Sequence, residues 1–263
     1  MITAGCDVGS LTSKAVVLKG NRILGSAVIR SRTRPEAAAR QVFDEALAAA
    51  GIEEADVACC LGTGYGMKKI PFVSGTKSEI ACHAAGARFL APSAMTVIDI
   101  GGQDCKATRM DKEGNVERFL ANDKCAAGTG RFLEVMAKIL DVTLDELGAL
   151  SKKARAPVTL ASTCTVWAQA DVIQYLNSGE TVQDVGAGVN NAMAARVATL
   201  ANSVGMAPDV CMTGGVAKNQ GVVRALEKLL SIRIVIPRKA DPQLAGAIGA
   251  AILARKAAEG KGA

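Results

Sequence analysis

Asp7-Val8-Gly9-Ser10, with Lys14 seven positions after the aspartate, returns about 92 residues later as Asp99-Ile100-Gly101-Gly102, with Lys106 at the same offset. Each copy then runs to a Gly-Asn pair, Gly20-Asn21 in one and Gly114-Asn115 in the other. The residues leading in are apolar, Ile2 to Asp7 and Met95 to Ile100, so each copy opens on a strand that small residues turn into a second one. The second strand is Lys14 to Lys19 in the first copy and runs through Lys106 in the other. A strand–turn–strand unit used twice at a fixed offset marks a duplicated architecture; chance likeness between two hairpins is the alternative.

Outward from these units, Ile23 to Ile29 reads as a third strand. Pro35 to Ala50 reads as a helix with proline at its first position and Gly51 at its end. Val57 to Leu61 is a short strand and Lys77 to Leu90 a helix. Beyond the second unit the pattern is mostly helical: Arg131 to Leu140, Leu144 to Lys153, Ala168 to Leu176, and Val185 to Val204 ending at Gly205. Val210 to Thr213 is a strand running into Gly214-Gly215, followed by a helix (Gly221 to Leu230), a strand (Arg233 to Ile236) and a closing helix (Gln243 to Lys256). Strands interleaved with helices give an α/β class. No linker interrupts the chain, and its last residues read as a frayed tail.

Hydrophobic residues make up 49% and charged residues 21%, which supplies a core and excludes wholesale disorder. The net charge of +6 is dispersed, the pairs Lys68-Lys69 and Lys152-Lys153 are short, and aromatics are only 3%, which argues against nucleic-acid binding. An anionic small ligand accounts for the sign equally well. The longest apolar stretch, Leu244 to Ala254, is about half the roughly 20 residues that span a bilayer. The first residues lack a basic segment followed by an apolar one, so the expected compartment is the cytoplasm. There the eight cysteines stay reduced. With no Cys-x-x-Cys pair and one histidine, His83, a zinc site within one chain is poorly supported.

Three glycine-containing turns each follow a strand. Gly9-Ser10-Leu11-Thr12-Ser13-Lys14 offers backbone N–H groups, hydroxyls and an ammonium, the groups a polyphosphate needs. Gly101-Gly102 lets the backbone approach a ligand, with Gln103 and Asp104 as polar heads. Thr213-Gly214-Gly215-Val216 leads toward a helix with Asn219 behind it, and a base or ribose fits against that glycine pair. Carboxylates beside phosphate donors need a cation between them, so Asp7 and Asp99 imply Mg²⁺ held mainly through water. Neither a P-loop nor Gly-x-Gly-x-x-Gly after the first strand is present. Singly these are ordinary tight turns; together they favour a nucleotide held between two related halves.

Six cysteines read as small core residues: Cys6, Cys59, Cys60, Cys82, Cys105 and Cys211. Cys125 and Cys164 differ. Cys125 sits in Asn122-Asp123-Lys124-Cys125-Ala126-Ala127-Gly128-Thr129-Gly130, a loop that opens a helix. Cys164 sits in Ser162-Thr163-Cys164-Thr165, after an expected strand and also before a helix. Helix N-termini favour an anionic sulfur. Two thiolates are too few for an iron–sulfur cluster, which normally takes four, but a symmetric dimer would supply four around its two-fold axis. Two unconnected loop cysteines remain the plain alternative. Gly128-Thr129-Gly130 could serve the nucleotide as well, coupling the two sites through one loop.

These motifs resemble those of the acetate and sugar kinase, heat-shock chaperone and actin superfamily. The resemblance rests on Asp7-Val8-Gly9-Ser10 with Lys14, Asp99 through Asp104, and Thr213-Gly214-Gly215. Within that superfamily, the runs Asn122 to Phe132 and Ser162-Thr163-Cys164-Thr165-Val166 are similar to those of the 2-hydroxyacyl-CoA dehydratase activators. The ATPase subunits of ATP-dependent benzoyl-CoA reductases belong to the same group, and the likeness covers almost the whole chain. It implies two actin-like (ribonuclease-H-like) half-domains with nucleotide in the cleft between them, residues 1–91 with 243–263 forming one and 92–242 the other. It further implies a homodimer, or a pair with a homologous subunit, with one [4Fe-4S] cluster at the interface, which uses ATP to pass a low-potential electron from a ferredoxin- or flavodoxin-type donor to a partner iron–sulfur enzyme. On that basis Cys125 and Cys164 of each chain are the cluster ligands and Ser10 through Lys14 contact phosphate. Gln103 and Asp104 sit near the γ-phosphate and its water. Gly214 and Gly215 lie near the adenosine, with Asn219 and Gln243 completing the nucleotide site. The helix beginning Ala245-Gly246-Ala247-Ile248-Gly249-Ala250 resembles the second connection between half-domains. Two readings without a cluster stay open on the same fold: a small-molecule kinase using Asp104 or Asp123 as base, and a chaperone-like interaction ATPase.

Overall fold

The computed structural model describes residues 1–31, 33–161 and 164–260. The first half begins with β1 (Ile2–Val8), β2 (Thr12–Lys19) and β3 (Arg22–Arg30), an antiparallel meander. After α1 (Pro35–Ala50) come β4 (Cys59–Thr63), which runs parallel to β1, the two-residue β5 (Gly75–Thr76) and α2 (Glu79–Leu90). The second half repeats this plan with β6 (Thr96–Ile100), β7 (Cys105–Met110) and β8 (Val116–Asn122). An inserted helical block follows: α3 (Gly130–Ile139), α4 (Leu144–Leu150), α5 (Thr165–Asn177) and α6 (Val182–Val204). The chain then returns to the sheet with β9 (Val210–Thr213), α7 (Gln220–Leu230) and β10 (Ile234–Val235), and closes with α8 (Ala245–Glu259).

The sheet orders are β3-β2-β1-β4-β5 and β10-β9-β6-β7-β8, the same topology twice. The duplication extends to register. Asp7 pairs with Lys14 across β1–β2 and with Thr63 across β1–β4, while Asp99 pairs with Lys106 and Thr213 at the matching places. Each threonine is followed by a left-handed glycine, Gly64 at φ 86° and Gly214 at φ 82°, which turns the chain away at the sheet's carboxyl edge.

α2 and α8 cross between the halves at a contact of bare backbone. A Cβ on Gly86 would stand 1.8 Å from the Ala245 carbonyl oxygen, and one on Gly249 would stand 1.7 Å from that of Cys82. α8 also seats on β1, where Gly5 meets Ala247 and Thr3 Oγ1 donates to the Ala251 carbonyl at 3.0 Å. The largest buried cluster lies in the second half and includes Ile98, Met136, Met193 and Leu226. No helix among the described residues is long and apolar enough to cross a membrane.

Most element boundaries fall where the sequence puts them, with informative departures. β8 is absent from the sequence reading because Val116–Asn122 is a largely exposed edge strand without an apolar alternation. The second strand of the second unit begins near Lys106 and continues to Met110. β4 starts two residues later than expected, shortly after a 3₁₀ turn at Glu54–Asp56 that is held by a capping box between Glu53 and Asp56. The strand expected just before Cys164 is not seen among the described residues, where 157–161 is irregular coil.

Candidate functional site

The two sheets point their carboxyl edges into a shared cleft of about 650 Å³ lined by both halves, within the ~300–1,000 Å³ usual for small-molecule sites. In the first turn Gly9 N–H donates to the Thr12 carbonyl at 3.1 Å, placing Ser10, Leu11 and Thr12 on the cleft wall. Ser13 is turned away, contrary to the sequence expectation. It is buried, with Oγ 2.8 Å from Ser31 Oγ, because residues alternate sides along the strand that begins at Thr12. In the second turn Gly101 N–H donates to the Asp104 carbonyl at 3.0 Å, and Gln103 stands exposed at the cleft. Leu11 packs directly on Gly102, where an added Cβ would fall 2.5 Å from its side chain. In the third, Gly214 lies against the Ile100 backbone and donates to the Pro242 carbonyl at 3.1 Å. Gly215 faces the Gln243 side chain, whose Oε1 accepts from Lys218 Nζ at 2.8 Å. Asn219 also lines the cleft, but its Oδ1 caps α7 by accepting from Val222 N–H at 2.9 Å.

A buried charge cluster forms the floor. Lys14 Nζ donates to Asp7 Oδ2 at 3.2 Å. Asp7 does not line the cleft, and its Oδ1 has no hydrogen-bond partner among the described residues. Asp99 Oδ1 accepts from Thr213 Oγ1 at 2.7 Å and lies 3.1 Å from His83 Nδ1, an ion-pair distance off the hydrogen-bond direction. Lys106 Nζ is 3.0 Å from Glu79 Oε1 and is also bonded to Asp104. Burial opposes the charged imidazolium, but the carboxylates of Asp99, Asp7 and Glu79 outweigh it and raise His83 to about 9. Burial likewise opposes the Asp99 carboxylate, yet His83 and Lys106 hold it below the usual carboxylate range. Glu79, His83 and Asp99 bring three ligand-type atoms within 4.8 Å. His83 lies at ion-pair distance from Asp99 and the Lys106 ammonium joins Glu79 to Asp104, so these side chains form one ion-pair network.

This network makes stability depend on pH with a definite sign. A histidine raised from its ordinary ~6.5 to about 9 contributes stability that is complete below ~6.5 and lost as pH rises through 9. His83→Gln is therefore expected to lower the melting temperature most near pH 6, with the gap to wild type closing by about pH 10. A gap that is flat across this range would show His83 neutral in the fold.

All six core-type cysteines are buried and both loop cysteines are exposed. Burial pushes the thiols of Cys60 and Cys211 up to about 12 and that of Cys82 to about 11, which leaves them inert. Cys164 is the N-cap residue of α5; Ser162 and Thr163 beside it lie outside the described residues. The Cys125 loop opens a helix as expected, α3 beginning at Gly130 with Thr129 as its N-cap residue, while Cys125 itself stands in the loop ahead of that cap. Asn122 shapes that loop, with Oδ1 accepting from Cys125 N–H at 3.2 Å and Nδ2 donating to the carbonyls of Cys125 and Ala127. Gly128 at φ 89° and Thr129, whose Oγ1 donates to the Ala126 carbonyl at 2.6 Å, set the exit of the loop and do not line the cleft. The loop is fastened to the second glycine turn, since Gly130 N–H donates to the Gly101 carbonyl at 2.9 Å and Arg131 N–H to the Gly102 carbonyl at 2.8 Å. α3 and α5 pack together through Phe132, Leu133, Ala168 and Val172 of one core, so the elements that follow the two cysteines are neighbours.

Glu79 and His83 at the cleft floor carry no motif that marks them as site residues in the sequence. The one signal available is that His83 is the sole histidine, and its partner Asp99 is brought to it by the sheet rather than by any spacing.

The pattern of the BadF/BadG/BcrA/BcrD ATPase family matches residues 4–254. The activator of lactoyl-CoA dehydratase from Anaerotignum propionicum is 45% identical over 262 residues, 99% of this chain and 100% of that protein. A benzoyl-CoA reductase subunit from Thauera aromatica is 35% identical over 260 residues, 95% of this chain and 92% of that protein. The structure of the activator of 2-hydroxyisocaproyl-CoA dehydratase from Clostridium difficile, with bound ADPNP, superposes with a TM-score of 0.95 at 41% identity, covering 100% of this chain and 97% of that one.

Proposed function

The chain belongs to the BadF/BadG/BcrA/BcrD ATPase family, and from that premise we propose that it is an ATP-hydrolysing electron donor to a 2-hydroxyacyl-CoA dehydratase. The observation that carries this reading is the fastening of the Cys125 loop to the Gly101-Gly102 turn through Gly130 and Arg131. One end of a short rigid connection faces the nucleotide cleft and the other carries an exposed thiol.

The donor chemistry fits a cluster shared by two copies. Cys125 and Cys164 are the exposed thiols, and two copies present four. Bound by them, a [4Fe-4S] cluster would supply a one-electron carrier at low potential. The chain's own residues do the rest. Loop 9–12 and the Gly101-Gly102 backbone receive the phosphates, Gly214 and Gly215 receive the nucleoside, and Gln103 is free to orient the attacking water. Mg²⁺ would be held through water beside Asp99, whose Oδ1 is taken by Thr213 and His83; Asp7 gives its Oδ2 to Lys14 and keeps an Oδ1 without a partner among the described residues. Arg30 of the first half reaches Glu134 on α3 at 3.2 Å, so closing residues 1–91 with 243–263 against 92–242 bears on the helix that follows Cys125. Loss of the terminal phosphate frees the Gly101-Gly102 turn, and with it the N-terminus of α3.

The relative named as a benzoyl-CoA reductase subunit supports a second reading, as the ATPase subunit of such a reductase; the higher identity to an activator favours the first. A kinase using Asp104 as its base is disfavoured because that carboxylate is ion-paired with Lys106. The test is to mix anaerobic, dithionite-reduced protein with a 2-hydroxyacyl-CoA dehydratase and follow bleaching or recovery of the visible bands. Electron transfer is expected with ATP and not with ADP. Transfer that proceeds equally with ADP would contradict the proposal.

A further inference from the structure

The duplicated halves treat their equivalent lysines differently. Register pairs Asp7 with Lys14 and Asp99 with Lys106, so each aspartate has a lysine directly across its hairpin. In the first half the pair closes, with Lys14 Nζ 3.2 Å from Asp7 Oδ2. In the second half no such pair forms among the described residues; Lys106 turns instead to Glu79 and Asp104, and His83 occupies the place beside Asp99.

The crossing helices explain the difference. Gly86 of α2 meets Ala245 of α8 and Gly249 of α8 meets Cys82 of α2, a reciprocal contact that makes Gly246 the counterpart of His83. Gly246 stands by Asp7 as His83 stands by Asp99: a Cβ there would lie 2.7 Å from Asp7 Oδ2 and equally close to His83 Nε2. Where α8 has glycine, the lysine keeps its aspartate. Where α2 has an imidazole, the lysine is displaced. The turns differ in the same sense, since Thr12 of the first copy is matched by Asp104 in the second, which draws Lys106 outward.

We propose that Lys106 is the ammonium that grips the terminal phosphate of ATP, and that His83 is a positioning residue that keeps it available by serving as the counter-ion of Asp99. The proposal rests on the nucleotide part of the function proposed above. Its energetic basis is the state of the partners. Glu79 and Asp104 line the cleft with side chains 28% exposed, so water can take over their solvation when Lys106 leaves one of them for a phosphate oxygen. Lys14 has no such exchange open to it, because its partner Asp7 is 2% exposed and releasing it would strand a buried carboxylate. A charge-assisted bond to a phosphate made only when the third phosphate is present separates ATP from ADP.

Binding of ADP and of the non-hydrolysable analogue ADPNP, measured by calorimetry on wild type and variants, tests this. Lys106→Met is expected to weaken ADPNP about tenfold or more while ADP stays within about twofold, and Lys106→Arg is expected to recover part of the loss. His83→Gln should show the same ADPNP-selective defect and add nothing further in the Lys106→Met background, a non-additivity that mere loosening of the fold would not produce. Equal weakening of both nucleotides, unchanged ADPNP binding, or full additivity of the two substitutions would overturn the assignment. Wild-type protein that binds neither nucleotide would overturn the nucleotide reading itself, and is distinguishable from all of these.

Discussion

Cys125→Ser and Cys164→Ser, each alone, are expected to abolish the visible absorption of the anaerobically purified protein and its ATP-dependent electron transfer, with ADP and ATP still binding within about twofold of wild type. Each substitution removes two of the four thiols that a pair of chains presents, and a serine oxygen is a poor substitute for thiolate toward iron. No other cysteine can replace them. Cys6, Cys60, Cys82, Cys105 and Cys211 are buried with their thiols pushed upward, and Cys59 is buried in β4. Nucleotide binding should survive because neither cysteine lines the cleft, and because the Cys125 loop is held by the Asn122 side chain and backbone rather than by its sulfur. Cys211→Ser is the matching control, a buried substitution expected to keep both colour and transfer. A Cys125→Ser protein that stayed brown and active would remove this cysteine from the electron path.

Gly249→Ala should be the most damaging single methyl group. Its Cβ would lie 1.7 Å from the Cys82 carbonyl oxygen and 2.5 Å from the carbonyl carbon, so backbone rather than a flexible side chain stands in the way. The helices would have to separate by more than 1 Å, which opens the contacts of α2 and α8 with each other and of α8 with β1 and β4. Forced overpacking of this kind costs about 3 kcal/mol or more, a fall in melting temperature of roughly 6–12 °C for a chain of this size. Gly75→Ala provides the comparison, since its Cβ would meet only Leu61 Cδ2 at an ordinary 3.5 Å. A Gly249→Ala melting temperature within 2 °C or so of wild type would mean the crossing is far looser than this backbone contact requires.

Much of this architecture is legible in the sequence because Asp7-Val8-Gly9-Ser10 and Asp99-Ile100-Gly101-Gly102 are local signals. An apolar run, small turn residues and a Gly-Asn hairpin are each short-range, and their recurrence implies two sheets of one topology. Edges are less visible. Val116–Asn122 carries Glu117, Arg118 and Asn122 on an exposed strand and looks like loop. Ser13 reads as a phosphate ligand by its neighbours, and only the strand phase shows that it faces Ser31. Gly128-Thr129-Gly130 reads as a helix entry turn and is one, since α3 begins at Gly130, but only the structure shows that Cys125 stands in the loop before that turn rather than on the helix end. His83 and Glu79 carry no motif at all. Their role arises from α2 being laid across the second sheet by the Gly86–Gly249 crossing, a contact between residues far apart in sequence.

If two copies of this ATPase hold one iron–sulfur cluster between them, the metal content and the oligomeric state must agree. Iron and acid-labile sulfide content, the visible spectrum and the mass in solution, all taken on one anaerobically purified sample, test this most directly. The predicted result is a dimer with about four iron atoms per two chains and a brown absorption band that dithionite bleaches. A colourless, iron-free protein that remains so after anaerobic reconstitution with iron and sulfide would contradict it.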